Sequence, residues 1–412
     1  MFLEMNSWSR WQTGTILFMP PIILVTVTGH DKPGLTAGLL GVLAAADAAV
    51  IDMEQVVLQE NLTLALAITV PDDTSIQKDL LYYGFETGMA VDLEVVHETK
   101  ELDASKKRFV VTVLGQEMRA EALQGVTEVI AEAGGNIDRI VRLASYPVIA
   151  YEFEVIGGGQ GQLRRGLMEG SSHFGLDVAV QPLKLERRAK RLVVLDVDST
   201  LIQNEVIDLV ADEAGCGSEV TAITEAAMAG EIDFAESLSK RIACFEGQDE
   251  AILERVASRM VLTPGARTFV QTLKRLGYKV AAVSGGFTFF TEKVKRRLEL
   301  DHAYANTLEV IDGKLTGRVI GGIVDGPAKA AILRDIADAE SIPLEQVVAV
   351  GDGANDLDML GAAGLGIAFN AKSLVQDAAD AAVNVPYLDA ILFMLGIRRS
   401  EVEESQKVPA RK

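Results

Sequence analysis

The chain has 412 residues, more than one ordinary hydrophobic core organises, so two or three domains are expected. Hydrophobic residues make up 49% and charged ones 24%, which excludes a disordered chain. The formal net charge of −20 argues against a nucleic-acid backbone or an anionic membrane as partner, so any phosphate site must build its positive field from local groups.

Residues 1–18 match nothing that follows and read as a disordered extension. Glu4 stands where a secretion signal needs basic residues, and the apolar stretch from Ile16 to Val27 is broken by Pro20-Pro21. No apolar run reaches the roughly 18 residues of a membrane span. The two cysteines, Cys216 and Cys244, are not at metal-ligand spacing and form no disulfide framework, which fits a reducing, cytoplasmic setting.

From residue 19 to residue 184 the chain repeats itself. Val25-Thr26-Val27 with Gly29 recurs as Val111-Thr112-Val113 with Gly115, and Ile51-Asp52 recurs as Ile137-Asp138, both at an offset of 86 residues. Each copy reads strand, helix, strand, strand, helix, strand, the order of a split βαβ sandwich with two helices on one face of an antiparallel sheet. The expected copies span residues 19–100 and 106–184. The loop Gly29-His30-Asp31-Lys32-Pro33-Gly34-Leu35 resembles that of an ACT domain, whose paired copies bind small effectors, usually amino acids. The resemblance makes Asp31 and Gly34 candidate effector contacts, with backbone N–H groups after Gly34 facing a carboxylate. L-Serine is the expected effector, and a dimerisation platform without ligand is the plainer alternative. The second copy departs from the pattern: Gly115-Gln116-Glu117-Met118-Arg119 has no Pro-Gly.

Leu183 to Arg191, rich in Lys and Arg, reads as a short solvated connector. The unbroken apolar run Leu192 to Leu195 then predicts a strand buried on both faces of a parallel sheet, ending at Asp196. Asp196 and Asp198 are close enough to repel unless a cation lies between them, and hard oxygen donors without nearby His or Cys point to Mg²⁺. Taken alone, Asp-x-Asp after a strand is equally a helix cap with an extra surface acid. Val280 to Val283 running into Ser284-Gly285-Gly286, Lys329 opening a helical stretch, and Val347 to Val350 running into Gly351-Asp352-Gly353-Ala354-Asn355-Asp356 complete a doubly wound α/β pattern.

In order and spacing these four motifs resemble the haloacid dehalogenase-like phosphohydrolases. The resemblance, with the demands of phosphoryl transfer, implies Asp196 as nucleophile forming an aspartyl-phosphate, and Asp198 as general acid and then base. It implies Mg²⁺ on Asp196, Asp352 and the main-chain carbonyl of Asp198. Ser284, the N–H of Gly285 and Lys329 would hold phosphate, with Asn355 and Asp356 as supports for metal, lysine or substrate.

Residues 205–260 form an expected helical cap, with Val206, Leu209, Val210 and Ala214 on one stripe. Met228, Phe234 and Arg241 within it, and Glu205 nine residues past Asp196, are similar to the cap of phosphoserine phosphatases. That likeness implies Arg241 on a substrate carboxylate, Glu205 on its ammonium, and Met228 and Phe234 as apolar walls. A zwitterion needs one cation and one anion, and guanidinium matches a carboxylate best. A solvent-facing pairing of Arg241 with Glu236 or Glu246 is the plainer alternative. The domain runs to residue 398, and residues 399–412 read as a fraying tail.

The resemblance spans nearly the whole chain and implies hydrolysis of O-phospho-L-serine to L-serine in serine biosynthesis, with feedback through the repeats; a homodimer joined through the repeats is a separate expectation. Phosphotransfer to an acceptor such as homoserine, action on phosphoproteins, and an amino-acid-sensing binding protein are the alternatives.

Overall fold

A computed structural model describes residues 21–71, 76–96, 106–184, 187, 189–228 and 231–407. The expected extension at residues 1–18 lies outside them. The chain divides into one unit up to residue 104 and a second from residue 105.

In the first unit the strands β1 (Ile22–His30), β2 (Ala49–Leu58), β3 (Asn61–Thr69) and β4 (Ala90–Val96) form an antiparallel sheet of order β2-β3-β1-β4. Alternation along β1 buries Ile23, Val25 and Val27 beneath the helices Leu35–Ala45 and Ile76–Thr87. Leu35, Leu39 and Leu43, one helical turn apart, close the same core. Tyr83 keeps its buried hydroxyl satisfied by donating to the Leu35 carbonyl at 2.5 Å.

The second unit is built on one sheet of eleven strands, ordered β12-β11-β10-β9-β13-β14-β15-β8-β5-β7-β6. Four belong to the second repeat: β5 (Arg108–Gly115), β6 (Gly135–Ala144), β7 (Ile149–Gly157) and β8 (Asp177–Pro182). The rest are β9 (Leu192–Leu195), β10 (Lys279–Phe287), β11 (His302–Ile311), β12 (Lys314–Ile320), β13 (Val347–Gly351), β14 (Leu365–Phe369) and β15 (Ala381–Val383). Strands β11, β10, β9, β13, β14 and β15 run parallel, and β12 turns back antiparallel on β11. Apolar residues fill both faces of β9, in two separate clusters, as its sequence predicts.

The second repeat's strands join the rest of this sheet at a single antiparallel bridge, Ala381 with Ala179. Around it Asp177 accepts hydrogen bonds from the Asn384 main-chain N–H (2.8 Å) and Nδ2 (2.9 Å). Arg164 pairs with Asp380 at 2.9 Å, and Gln181 donates to the Met394 carbonyl at 2.9 Å. This joint accounts for a departure from the repeat pattern. Strand β5 is buried on both faces, Val111 and Val113 under the repeat's helices and Leu114 in the catalytic-side core.

Two expectations are corrected. The basic connector is not wholly solvated: Lys184 and Arg191 are exposed, but Arg187 is buried against Glu152, and Lys190 is buried with its ammonium on the Glu345 carbonyl. Burial is tolerated because each cation finds an oxygen inside the joint. The tail does not fray at Arg399. A helix Arg399–Lys407 buries Val402, and Ser405 hydrogen-bonds Thr272 at 3.2 Å on the helix Ala266–Arg275.

No helix among the described residues is long and apolar enough to cross a membrane.

Candidate active site

The site lies at the carboxyl ends of β9, β10 and β13, where a doubly wound sheet opens its crevice. Asp196 ends β9, and the chain then winds through Val197–Leu201. In this turn Asp198 is extended (φ −65°, ψ 135°) and Ser199 left-handed (φ 54°). Period-two alternation is thereby broken, and both acids face the crevice.

Lys329 is fully buried, with its ammonium 2.8 Å from Asp196 Oδ1 and 2.7 Å from Asp356 Oδ1. It sits in the first turn of the helix Gly326–Ala339, whose N-cap Asp325 accepts from the Ala328 N–H at 2.9 Å. Burial alone would lower the lysine's pKa, but Asp196 and Asp356 overcome it and hold the ammonium above its ordinary range. Gly351 is required here, because a Cβ would lie 2.4 Å from Asp356 Cγ.

Asp196, Asp352 and Asp356 offer carboxylate oxygens within 4.8 Å of one another. Burial, then Asp356, raises Asp196 well above the usual carboxylate range against the pull of Lys329. Burial and Asp356 likewise push Asp352 up to about 6. One ammonium is too little charge for three acids, and their hard oxygens suit a divalent cation. The Asp198 carboxylate is not part of this cluster, whereas Asp356, expected to act from behind, is. Thr200 donates to Asp352 Oδ1 at 2.9 Å and so fixes one of the three.

Asp198 is held apart: Oδ1 accepts from the Val206 N–H at 2.8 Å and Oδ2 from Ser284 Oγ at 2.9 Å. Burial raises it, and these two donors oppose the rise. The Ser284 hydroxyl accepts in turn from the Gly286 N–H at 2.8 Å. Buried Asn306 clamps the next peptide, donating to the Gly285 carbonyl (2.8 Å) and accepting from the Val324 N–H (2.8 Å).

The cap comprises the helices Val206–Ala214, Gly217–Met228, Phe234–Ala243 and Ala251–Ala257. Ile207 and Ala211, rather than Leu209 and Ala214, join Val206 and Val210 on the most buried stripe. Glu205 accepts from Ser199 Oγ at 2.6 Å. The residue as a whole stays exposed, but withdrawal of its carboxyl from water, then Asp198, pushes it up to about 7. Arg241 is drawn below its ordinary range by burial, opposed by Asp208 and Glu205. Lys240, not Arg241, takes Glu236 at 2.7 Å, and Arg241 Nε donates to the Ser237 carbonyl at 3.4 Å. Phe234 seats on the phosphate-side loop, its Cζ 3.1 Å from where a Cβ on Gly285 would be. Asn355 adjoins Gly353, where a Cβ would meet its Oδ1 at 2.1 Å. Met228 ends its helix, and its side chain lies outside the described residues.

Sequence reasoning left Thr200, Asp208 and Asn306 without roles. Thr200 had a signal, standing two residues past Asp198. The other two had none, because Asn306 holds peptides at Gly285 and Val324 and Asp208 acts on the charge of Arg241, all distant in sequence.

In the first unit, Asp31 and Gly34 line a cavity of about 420 Å³ with Lys32, Pro33, Leu35 and Gln55. Gly34 is left-handed (φ 94°) where the helix Leu35–Ala45 begins. In the second unit the loop after β5 borders a cavity of about 570 Å³, closed by Asp177, Gln376 and Asn384.

Fold and site together define a haloacid dehalogenase-like hydrolase. That family matches residues 193–361, and two ACT domain families match residues 21–94 and 108–181. The chain is 50% identical over 386 residues to a phosphoserine phosphatase of Streptomyces coelicolor, covering 93% of this chain and 94% of that one. It is 45% identical over 387 residues to a phosphoserine phosphatase of Mycobacterium tuberculosis, covering 92% and 94%. Among solved structures, a haloacid dehalogenase family hydrolase of Salmonella enterica aligns with TM-score 0.62 at 32% identity, over 69% of this chain and 98% of that one. A probable phosphoserine phosphatase of Vibrio cholerae aligns with TM-score 0.55 at 35% identity, over 72% and 88%. The chain belongs to the phosphoserine phosphatase family.

Proposed function

We propose that the chain hydrolyses O-phospho-L-serine to L-serine and phosphate in the cytosol, as the last step of serine synthesis. The carrying observation is the pairing of two charge sets in one crevice. Lys329 and the carboxylates of Asp196, Asp352 and Asp356 suit a phosphate with its metal, while Arg241 and Glu205 suit a zwitterionic headgroup.

In this reading Asp196 attacks phosphorus in line and becomes an aspartyl-phosphate, and Lys329 compensates the charge of both carboxylate and phosphate. A Mg²⁺ held by Asp196, Asp352 and the main-chain carbonyl of Asp198 would supply the remaining positive charge on the phosphate oxygens. Asp198, raised by burial and so readily protonated, gives its proton to the serine alkoxide, then takes one from the water that releases phosphate. Ser284 turns its hydroxyl from Asp198 to a phosphate oxygen, and the Gly285 N–H joins it. Glu205 and Arg241 orient the headgroup, and Phe234 excludes water.

The first repeat takes L-serine at Asp31 and Gly34 and modulates turnover; its cavity and the helix start at Gly34 support this. Exposed Ile51, Met53, Val56 and Leu58 on β2 support a homodimer through the repeats.

Phosphate release from O-phospho-L-serine, with Mg²⁺ or with EDTA, tests the activity. No release, with p-nitrophenyl phosphate still hydrolysed, rejects the substrate. Calorimetry with L-serine and a Gly34→Asp variant tests the effector, and sedimentation tests the dimer.

A further inference from the structure

The cap carries a feature that phosphoryl transfer does not use. The helices Gly217–Met228 and Phe234–Ala243 pack against each other as a hairpin. Cys216 directly precedes the first and Cys244 directly follows the second, so the chain's two cysteines mark the hairpin's base. Gln248 Nε2 donates to the Ala214 carbonyl at 3.3 Å, tying together the segments that flank them. Both thiols are half-buried on the edge of one core, and each has the other as a hydrogen-bond partner. Cys244 Sγ also lies 3.4 Å from the Lys240 carbonyl.

We infer that Cys216 and Cys244 are a modification site, closing under thiol oxidants into a reversible disulfide that staples the hairpin's base and slows the cap. With hydrogen peroxide, one sulfur attacks the O–O bond, forms a sulfenic acid and releases water. The second thiol then displaces the sulfenic hydroxyl as water and forms the S–S bond. Overall two thiols and one peroxide give one disulfide and two waters. A thiol reductant reverses it by exchange. The staple bears on the site because Arg241 stands one turn before Cys244, and Phe234 at the hairpin's tip rests against Gly285. A staple at the base resists lifting of that tip, the motion by which such a cap would admit substrate. Burial, then Glu219, raises both thiols, so closure is slow near neutral pH and speeds up as pH rises.

The test is peptide mapping of the full-length protein after peroxide treatment, without reduction, beside Cys216→Ser and Cys244→Ser variants. The expected result is a crosslinked pair of peptides carrying the two cysteines, absent from both variants. Turnover should fall several-fold in the wild type and return with dithiothreitol, while both variants keep their rate. Separately oxidised cysteines without a crosslink would overturn the inference. So would a crosslink that leaves turnover unchanged. The map is independent of which phosphate ester is the substrate, so its failure is distinct from failure of the proposed activity.

Discussion

Lys329 Nζ lies 2.8 Å from Asp196 Oδ1 with both groups withdrawn from water, and the same ammonium reaches Asp356 at 2.7 Å. A cation shared this way has no water to replace it. Lys329→Met should destabilise the protein by about 3–5 kcal/mol near neutral pH, because two carboxylates lose their buried partner. The loss should shrink in acid, where Asp196, raised by burial, takes up a proton. Urea unfolding at two pH values measures it, and phosphate release should fall with it.

Asp196→Asn keeps the shape of the side chain and removes the attacking charge. Turnover should drop by about 10⁴-fold or more with the circular dichroism spectrum unchanged. A rate near wild type would place the nucleophile elsewhere.

For Arg241→Ala, KM for O-phospho-L-serine should rise by roughly 10- to 100-fold, the worth of one charge-assisted hydrogen-bonded group. p-Nitrophenyl phosphate has no carboxylate and should be affected little. Equal effects on both substrates would reject the clamp.

Glu205 is pushed up to about 7 by withdrawal from water and by Asp198, so the carboxylate proposed to attract the substrate ammonium is lost as pH falls through that value. KM for O-phospho-L-serine should therefore climb below pH about 7, and Glu205→Gln should flatten the climb while raising KM throughout. A pH series run in parallel with p-nitrophenyl phosphate separates this from titration of the phosphate itself.

Asn384→Ala leaves Asp177, raised by burial, with one fewer donor where the second repeat's strands join the rest of the sheet. The expected loss is about 1–3 kcal/mol by chemical denaturation. Hydrogen exchange should quicken in β8 and β15 together, since the bridge between Ala179 and Ala381 joins them.

Strand β1 was legible because its alternation reports one covered face. Strand β5 carries the same motif, but its second face is covered by residues more than two hundred positions away, which no local period records. Arg187 and Lys190 looked like linker residues for the same reason: a basic run has the same composition whether water or a distant protein oxygen receives it.

The sequence by itself determined the two repeats, the doubly wound core and the four motif positions. A strand buried on both faces must be apolar, and the polar residue where it ends is exposed to the crevice by the geometry of parallel sheets. Tertiary structure alone decided that Asp356 shares Lys329 with Asp196, that Ser284 holds Asp198, and that Ser199 holds Glu205. Those pairings depend on ångström distances, and burial sets the strength of each charge only after the fold has excluded water.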